Sequence, residues 1–245
     1  MNIKMKKAFY TLVACLLALG FSACSDDNDA LTDTTLTNYV NLILQGDEFV
    51  EVPLGSSYTD AGCKATLAGE EFTNITVEGL DEIDVNTPGL YEVTYTATNP
   101  DGYVSSVSRT VAVCDPTVTT DISGIYAVQT GSYRYWFSSG ATVPFADQTV
   151  TIKKAASGIF YISDLMGGYY DQRAGYGSKY AMNGYIQLTN ENELFVLSGY
   201  VPGWGDSYDD FYDGSYDPDA QTLTYELEYA GSMQFHIILG YTKSL

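Results

Sequence analysis

The sequence predicts an all-β protein of two small antiparallel domains, a sandwich followed by a closed barrel. Three observations lead there. Apolar and polar residues alternate with period two in segment after segment, the mark of half-buried strands, and no segment shows a convincing helical period. Hydrophobic residues make up 45% of the chain, and with a near-neutral mean hydropathy this indicates packed cores rather than disorder. The length of 245 residues suits two domains of ordinary size better than one.

The first element belongs to neither core. Lys4, Lys6 and Lys7 form a positive segment, Ala8 to Phe21 an apolar one too short to span a bilayer, and Phe21-Ser22-Ala23-Cys24 brings small residues up to a cysteine. This resembles a bacterial lipoprotein signal over residues 1–23, which implies diacylation of the Cys24 thiol and attachment to the membrane through that lipid anchor. Acyl chains contribute ~0.8 kcal/mol per buried methylene, so several make the anchoring effectively permanent. Leu12-Val13-Ala14-Cys15 has the same form, but cleavage there leaves Leu16 to Phe21 apolar on the mature chain with no use; an ordinary secretory signal is a third reading. Ser25-Asp26-Asp27-Asn28-Asp29 resembles the surface-export signal of Bacteroidetes lipoproteins, which implies an outer-membrane protein facing the exterior. Residues 24–38, rich in Asp, Thr and Asn, read as a flexible acidic tether.

Residues 39–115 read as short strands between turns. Tyr91, Val93, Tyr95 and Ala97 alternate with Glu92, Thr94 and Thr96; Asn99-Pro100-Asp101-Gly102 turns the chain, and Val107 to Val113 returns as the partner strand. Pro53 to Gly62, Pro88 to Tyr95 and Ser108 to Val113 resemble bacterial Ig-like domains of the hyalin-repeat and crystal-toxin type, which implies a β-sandwich acting as a spacer or adhesive unit. No tryptophan lies in this segment, so the antibody-type Cys, Trp, Cys core is not expected. Cys63 and Cys114 both fall here. A disulfide between them closes a loop of about 50 residues and stabilises by up to ~4 kcal/mol; two buried thiols are the other reading.

Residues 116–121 read as a short linker. Residues 122–245 hold both tryptophans and most of the 22 tyrosines. Strand patterns recur at Thr149 to Lys154, Ile159 to Ser163, Gly184 to Leu188, Leu194 to Ser198, Leu223 to Tyr229 and Met233 to Tyr241, with Ala155 to Gly158 turning the first hairpin. An antiparallel barrel of about eight strands accounts for the pattern and hides the sheet edges. Ile122 to Tyr126 and Phe160 to Tyr170 are similar to the lipocalin-like C-terminal domain of Bacteroidetes surface lipoproteins, which implies the barrel and the company of polysaccharide-utilisation systems but no chemistry.

Two segments have the composition of a binding site. Tyr200 to Asp213 interleaves aromatics with carboxylates on a Gly- and Pro-bearing loop, with Trp204 flanked by Gly203 and Gly205 and followed by Asp206 and Tyr208. Saccharides suit such a mixture: a flat ring covers the apolar face of a pyranose while carboxylates accept hydrogen bonds from its hydroxyls. Alternatively, Trp204 caps one end of the barrel and the loop aspartates are solvated. The second segment, Gly167-Gly168-Tyr169-Tyr170-Asp171 with Tyr176 and Tyr180, sets glycines beside aromatics. Strand alternation there sends one of Tyr169 and Tyr170 inward and leaves the other for a ligand.

Other functions find little support. With 31 acidic and 11 basic residues and a formal net charge of −20, the chain repels a phosphate backbone, so no nucleic-acid partner is expected. His236 is the sole histidine, no Cys-x-x-Cys occurs, and the Asp206 to Asp219 cluster lacks EF-hand order, so no metal site is expected. No G-x-S-x-G, dinucleotide fingerprint or phosphate-cradling loop is present, so neither a cofactor nor catalysis is expected. The sequence points to a non-catalytic surface lipoprotein that captures a glycan or related nutrient. A structural or adhesive lipoprotein with an outer-membrane protein partner is the alternative.

Overall fold

The computed structural model describes residues 37–245. The expected signal segment, Cys24 and all but the last two residues of the tether lie outside them.

The first part of the described chain forms two small sheets. Strands β1 (Asn41–Leu44), β3 (Cys63–Leu67) and β4 (Glu70–Glu71) make a three-stranded sheet in that order. Strands β2 (Phe49–Pro53), β7 (Val104–Cys114), β6 (Gly89–Thr98) and β5 (Thr76–Glu78) make a four-stranded one. The β6–β7 hairpin has the expected turn, with Gly102 N donating to Asn99 O at 3.0 Å. The pairing of β2 with β7 is parallel, which alternation alone does not reveal. Val52, Val93, Tyr95, Val111 and Val113 fill the core between the sheets.

Within this sandwich the structure buries an ion pair. Arg109 is 1% exposed; its guanidinium meets Asp60 and Gln45 O and donates from Nε to Asp47 O at 2.9 Å. Asp60 also accepts from Tyr58 Oη at 2.7 Å, from Gly62 N at 2.7 Å and from Tyr95 Oη. A buried charge is tolerated only when paired and hydrogen-bonded, and here one carboxylate ties β6 and β7 to the loop before β3.

The second part forms one curled antiparallel sheet. Its strands are β8 (Gly124–Val128), β9 (Tyr133–Trp136), β10 (Thr142–Pro144), β11 (Thr149–Ala156), β12 (Ile159–Ile162), β13 (Asn183–Leu188), β14 (Leu194–Tyr200), β15 (Tyr208–Asp217), β16 (Thr222–Tyr229) and β17 (Met233–Lys243). The pairing β15-β16-β17-β8-β11-β12-β13-β14 is an up-and-down meander whose last strand returns to its first. Strands β14 and β15 meet across a seam, where Glu193 bridges Ser215 and Tyr216 N donates to Asn192 O at 2.8 Å. The long β17 pairs with β9 along Met233 to His236 and with β8 beyond Leu239, so β8 and β9 act as one interrupted strand. Alternation places Leu223, Tyr225, Leu227 and Tyr229 of β16 inside with Met233, Phe235, Ile237 and Leu239 of β17. Large side chains fill the interior, and each fully buried Ile or Phe contributes about 1.5–3 kcal/mol.

Three expectations need correction here. The stretch 200–213 is a tight turn at Val201 to Asp206 followed by strand β15, not one loop. Bulges between Tyr208 and Asp210 and between Tyr212 and Ser215 break its alternation, which hides the strand in the sequence. Residues Tyr169–Arg173 form one helical turn, entered through left-handed Gly168, so strand alternation does not govern Tyr169 and Tyr170. The disulfide is not formed: Cys63 and Cys114 are both free thiols. Cys63 packs against the sandwich core, whereas Cys114 follows Val113 on β7 and so turns to the other face. A one-residue step along a strand reverses the side chain, and the two sulfurs point into different clusters.

That other face joins the two parts. Ala112 and Cys114 of β7 form a buried cluster with Ala156 and Ile159 of the barrel, supported by Phe49, Leu90, Tyr185 and Leu197. The Phe49 and Tyr185 rings stack at 6.2 Å, and Glu51 Oε1 accepts from Ser157 N at 3.2 Å and from Cys114 Sγ at 3.3 Å. Residues 116–121 are less polar in use than their composition suggests, since Val118 is buried.

Candidate functional site

Two loops, read separately from the sequence, converge at one end of the barrel. The first runs between β12 and β13. Asp164, 1% exposed, fixes its base: Oδ1 accepts from Met166 N at 2.9 Å and Met182 N at 3.1 Å, and Oδ2 from Gly168 N at 3.0 Å. Tyr225 Oη donates to Leu165 O at 2.9 Å from inside the barrel, and the Gln172 amide brackets Thr149, accepting from its N–H at 2.9 Å and donating to its carbonyl at 2.7 Å. Gly168 is obligatory, with φ +74 and space for a Cβ only 2.8 Å from that of Gln148.

The second loop is the β14–β15 turn. Val201 N donates to Asp206 O at 2.8 Å, and Gly203 N reaches across to Lys179 O at 2.6 Å. A Cβ on Gly203 would lie 2.6 Å from the Tyr180 ring, so glycine there permits the two loops to touch.

Their rings form one aromatic cluster. Trp204 meets Tyr170 edge-on at 4.8 Å, Tyr180 at 4.9 Å, Tyr229 at 6.0 Å and Tyr176 at 6.2 Å. Tyr170 stacks with Tyr176 at 6.0 Å, and Tyr169 stands behind, 5.1 Å from Tyr170. Trp204 and Tyr176 are 41% and 55% exposed, so the cluster is capped by two rings open to water. Trp204 therefore both covers the barrel end and presents surface.

The other nominated residues sort around this cluster. Asp206 receives the Tyr229 hydroxyl on both carboxylate oxygens, at 2.8 and 2.9 Å; burial first, and this carboxylate second, push the Tyr229 phenol well up. Tyr208 is half-buried, opposite Tyr229 in the β15–β16 ladder, and burial raises its phenol. Tyr169 and Tyr170 are both buried, Tyr170 donating to Met233 Sδ at 3.1 Å. Cys63 and Cys114 lie in the sandwich part, away from this cluster. Among the described residues no group of three His, Cys, Asp or Glu side chains could hold a metal ion. His236 lies outside the cluster, stacked on Tyr133 at 5.1 Å and bonded through Nδ1 to Glu226 Oε1 at 2.6 Å.

Sequence reasoning missed the cations. Arg134 lies with its guanidinium carbon 4.7 Å from the ring centres of both Trp136 and Tyr169. Arg173 lies 4.9 Å from that of Tyr169, and Lys179 Nζ 5.0 Å from that of Tyr180. The run Tyr133-Arg134-Tyr135-Trp136, one cation set among three rings, was the available signal.

With this geometry in hand, comparison with known proteins places the chain. A family model described as a C-terminal domain matches residues 115–240, and one for a bacterial surface protein Ig-like domain matches residues 42–113. The crystal structure of the lipoprotein BT2262 from Bacteroides thetaiotaomicron shares 41% sequence identity, covering 82% of this chain and 100% of that one, with a TM-score of 0.48. The chain belongs to the family of BT2262. No curated protein matches it. Family membership agrees with the resemblance read from Pro53 to Gly62 and Phe160 to Tyr170, and it names no ligand for the aromatic cluster.

Proposed function

We propose that the protein is a non-catalytic, surface-displayed lipoprotein, held by lipid on Cys24, whose barrel end binds a glycan. The observation that carries the binding reading is the convergence of the 164–182 loop and the 201–206 turn on one aromatic cluster with Trp204 and Tyr176 exposed. An exposed ring anchored edge-on by others is rigid, so it offers its face to a pyranose with little loss of side-chain freedom. The lipidated cysteine fits both the Phe21 to Cys24 motif and the relationship to the lipoprotein BT2262. A surface address fits the match to a surface-protein Ig-like domain.

Binding of the protein to a panel of neutral and acidic polysaccharides, with Trp204→Ala and Tyr176→Ala beside it, tests the site. The expected result is selective retention lost in either variant while the unfolding midpoint stays within a few degrees. Retention unchanged in both variants removes the cluster from the account; silence across the whole panel favours the adhesive role with a protein partner. Labelled palmitate incorporated by the wild type and not by Cys24→Ala tests the anchor, and protease shaving of intact cells tests the outward address.

A further inference from the structure

The geometry points to a saccharide bearing a carboxylate or sulfate group as the ligand of the aromatic cluster. This deepens the glycan-binding reading and rests on it. The chain carries a large excess of carboxylates, yet three of the eight basic residues among those described, Arg134, Arg173 and Lys179, gather on the rings of this one barrel end. None is ion-paired: among the described residues the ion pairs are Arg109–Asp60 and His236–Glu226. Arg134 goes further, since its Nε is buried without a hydrogen-bond partner.

Most carboxylates nearby are engaged, and although the Arg134 guanidinium also bonds the Tyr170 hydroxyl, its Nε stays unpaired and the Arg173 and Lys179 side chains are exposed. Asp206 holds the Tyr229 hydroxyl, and Asp209 Oδ2 takes Gly231 N at 2.6 Å. Asp171, on the helical turn beside Arg173, is the remaining carboxylate of the two loops. A guanidinium whose carbon lies over an aromatic ring still has edge N–H groups to offer, the donors that receive a planar carboxylate or a sulfate. A pyranose lying on Trp204 and Tyr176 would bring a ring substituent toward such donors. The net charge of −20 opposes an anion at long range, but at physiological ionic strength fields fade over about 8 Å, so local donors decide the bound state.

The test uses the full chain in detergent with matched pairs of probes: polygalacturonate and its methyl ester, and dextran sulfate and dextran. The charged member of one pair or both should bind about ten- to a hundredfold more tightly, the range expected for a charge-assisted hydrogen bond. The pair that discriminates identifies carboxylate or sulfate as the group read. That preference should fall in Arg173→Gln/Lys179→Gln, where both side chains are exposed, and persist in Lys153→Gln/Lys154→Gln, whose cations touch none of these rings. Equal affinity within both pairs, or a preference unmoved in Arg173→Gln/Lys179→Gln, overturns the acidic class and leaves the aromatic site standing. Failure of these four probes and of the whole polysaccharide panel overturns both.

Discussion

Replacing Asp164 with asparagine isolates the group that holds the aromatic loop in place. Burial pushes the Asp164 carboxyl from 3.8 up to about 7, because loss of water outweighs the backbone donors of Met166, Met182 and Gly168 that favour its charged form. Between those two values the folded chain keeps a proton that the unfolded chain releases. The stability carried by that proton is therefore fully present below the unfolded value, declines as pH rises, and is gone above about 7. A shift of about three units corresponds to about 4 kcal/mol, a slope of about 1.4 kcal/mol per pH unit across the window. Asparagine keeps an acceptor for Met166 and Met182 and turns an NH₂ toward Gly168 N much as the protonated carboxyl turns its O–H, so the two are nearly matched while the wild-type group is protonated, and asparagine is the more stable once that group ionises. Urea unfolding followed by intrinsic fluorescence, in half-unit steps from pH 4 to 8.5, gives both curves. Wild-type stability minus that of Asp164→Asn should fall by about 4 kcal/mol up to pH 7 and then level off. A difference independent of pH, or one that rises with it, refutes titration of this carboxyl within the barrel.

Asp60→Asn leaves the Arg109 guanidinium buried beside a neutral partner and should cost about 3 kcal/mol or more by urea unfolding. Burial raises the Asp60 carboxyl but the Tyr95, Tyr58, Gly62 and Arg109 donors together hold it below its ordinary value, so its contribution is present at neutral pH and lost as pH falls through the carboxylate range. A reductant should leave the melting temperature unchanged, and thiol labelling should reach Cys114 only after unfolding, because burial first and then Glu51 push that thiol up to about 11; a reductant-induced drop of several degrees would restore the disulfide. Gly184→Ala sets a Cβ 1.9 Å from Ser198 O across the β13–β14 ladder and should destabilise by about 3 kcal/mol, whereas Gly175→Ala, with open space but φ +74, should cost about 1 kcal/mol.

What the sequence disclosed follows from which signals are local. Period-two alternation marks β6, β7, β11, β16 and β17 plainly because each sets one face against a core. It fails for β9 and β10, which are short and have no buried residue, and for β15, whose bulges and Asp213 at φ +54 scramble the period. At the site, glycine beside aromatic rings singled out both loops, yet nothing in either one signals that they meet, because Gly203 N to Lys179 O joins residues 24 apart. Tyr229 ends an expected strand, Leu223 to Tyr229, but its bond to Asp206 depends on the β15–β16 register. Arg134 had only its neighbouring rings to mark it, because β9 has no buried face to set it in a strand.

Strand β7 is covered on both sides over its last turns of pleat, Val111 and Val113 by the sandwich and Ala112 and Cys114 by the barrel. Such a strand has no face left to give to water, so the Ig-like part is not a detachable bead. Cut out alone, residues 39–115 would carry a bare strip of Phe49, Leu90, Ala112 and Cys114, and a second copy of the fragment is the nearest surface able to hide it. Scissors placed at the linker would turn an internal joint into an adhesive one.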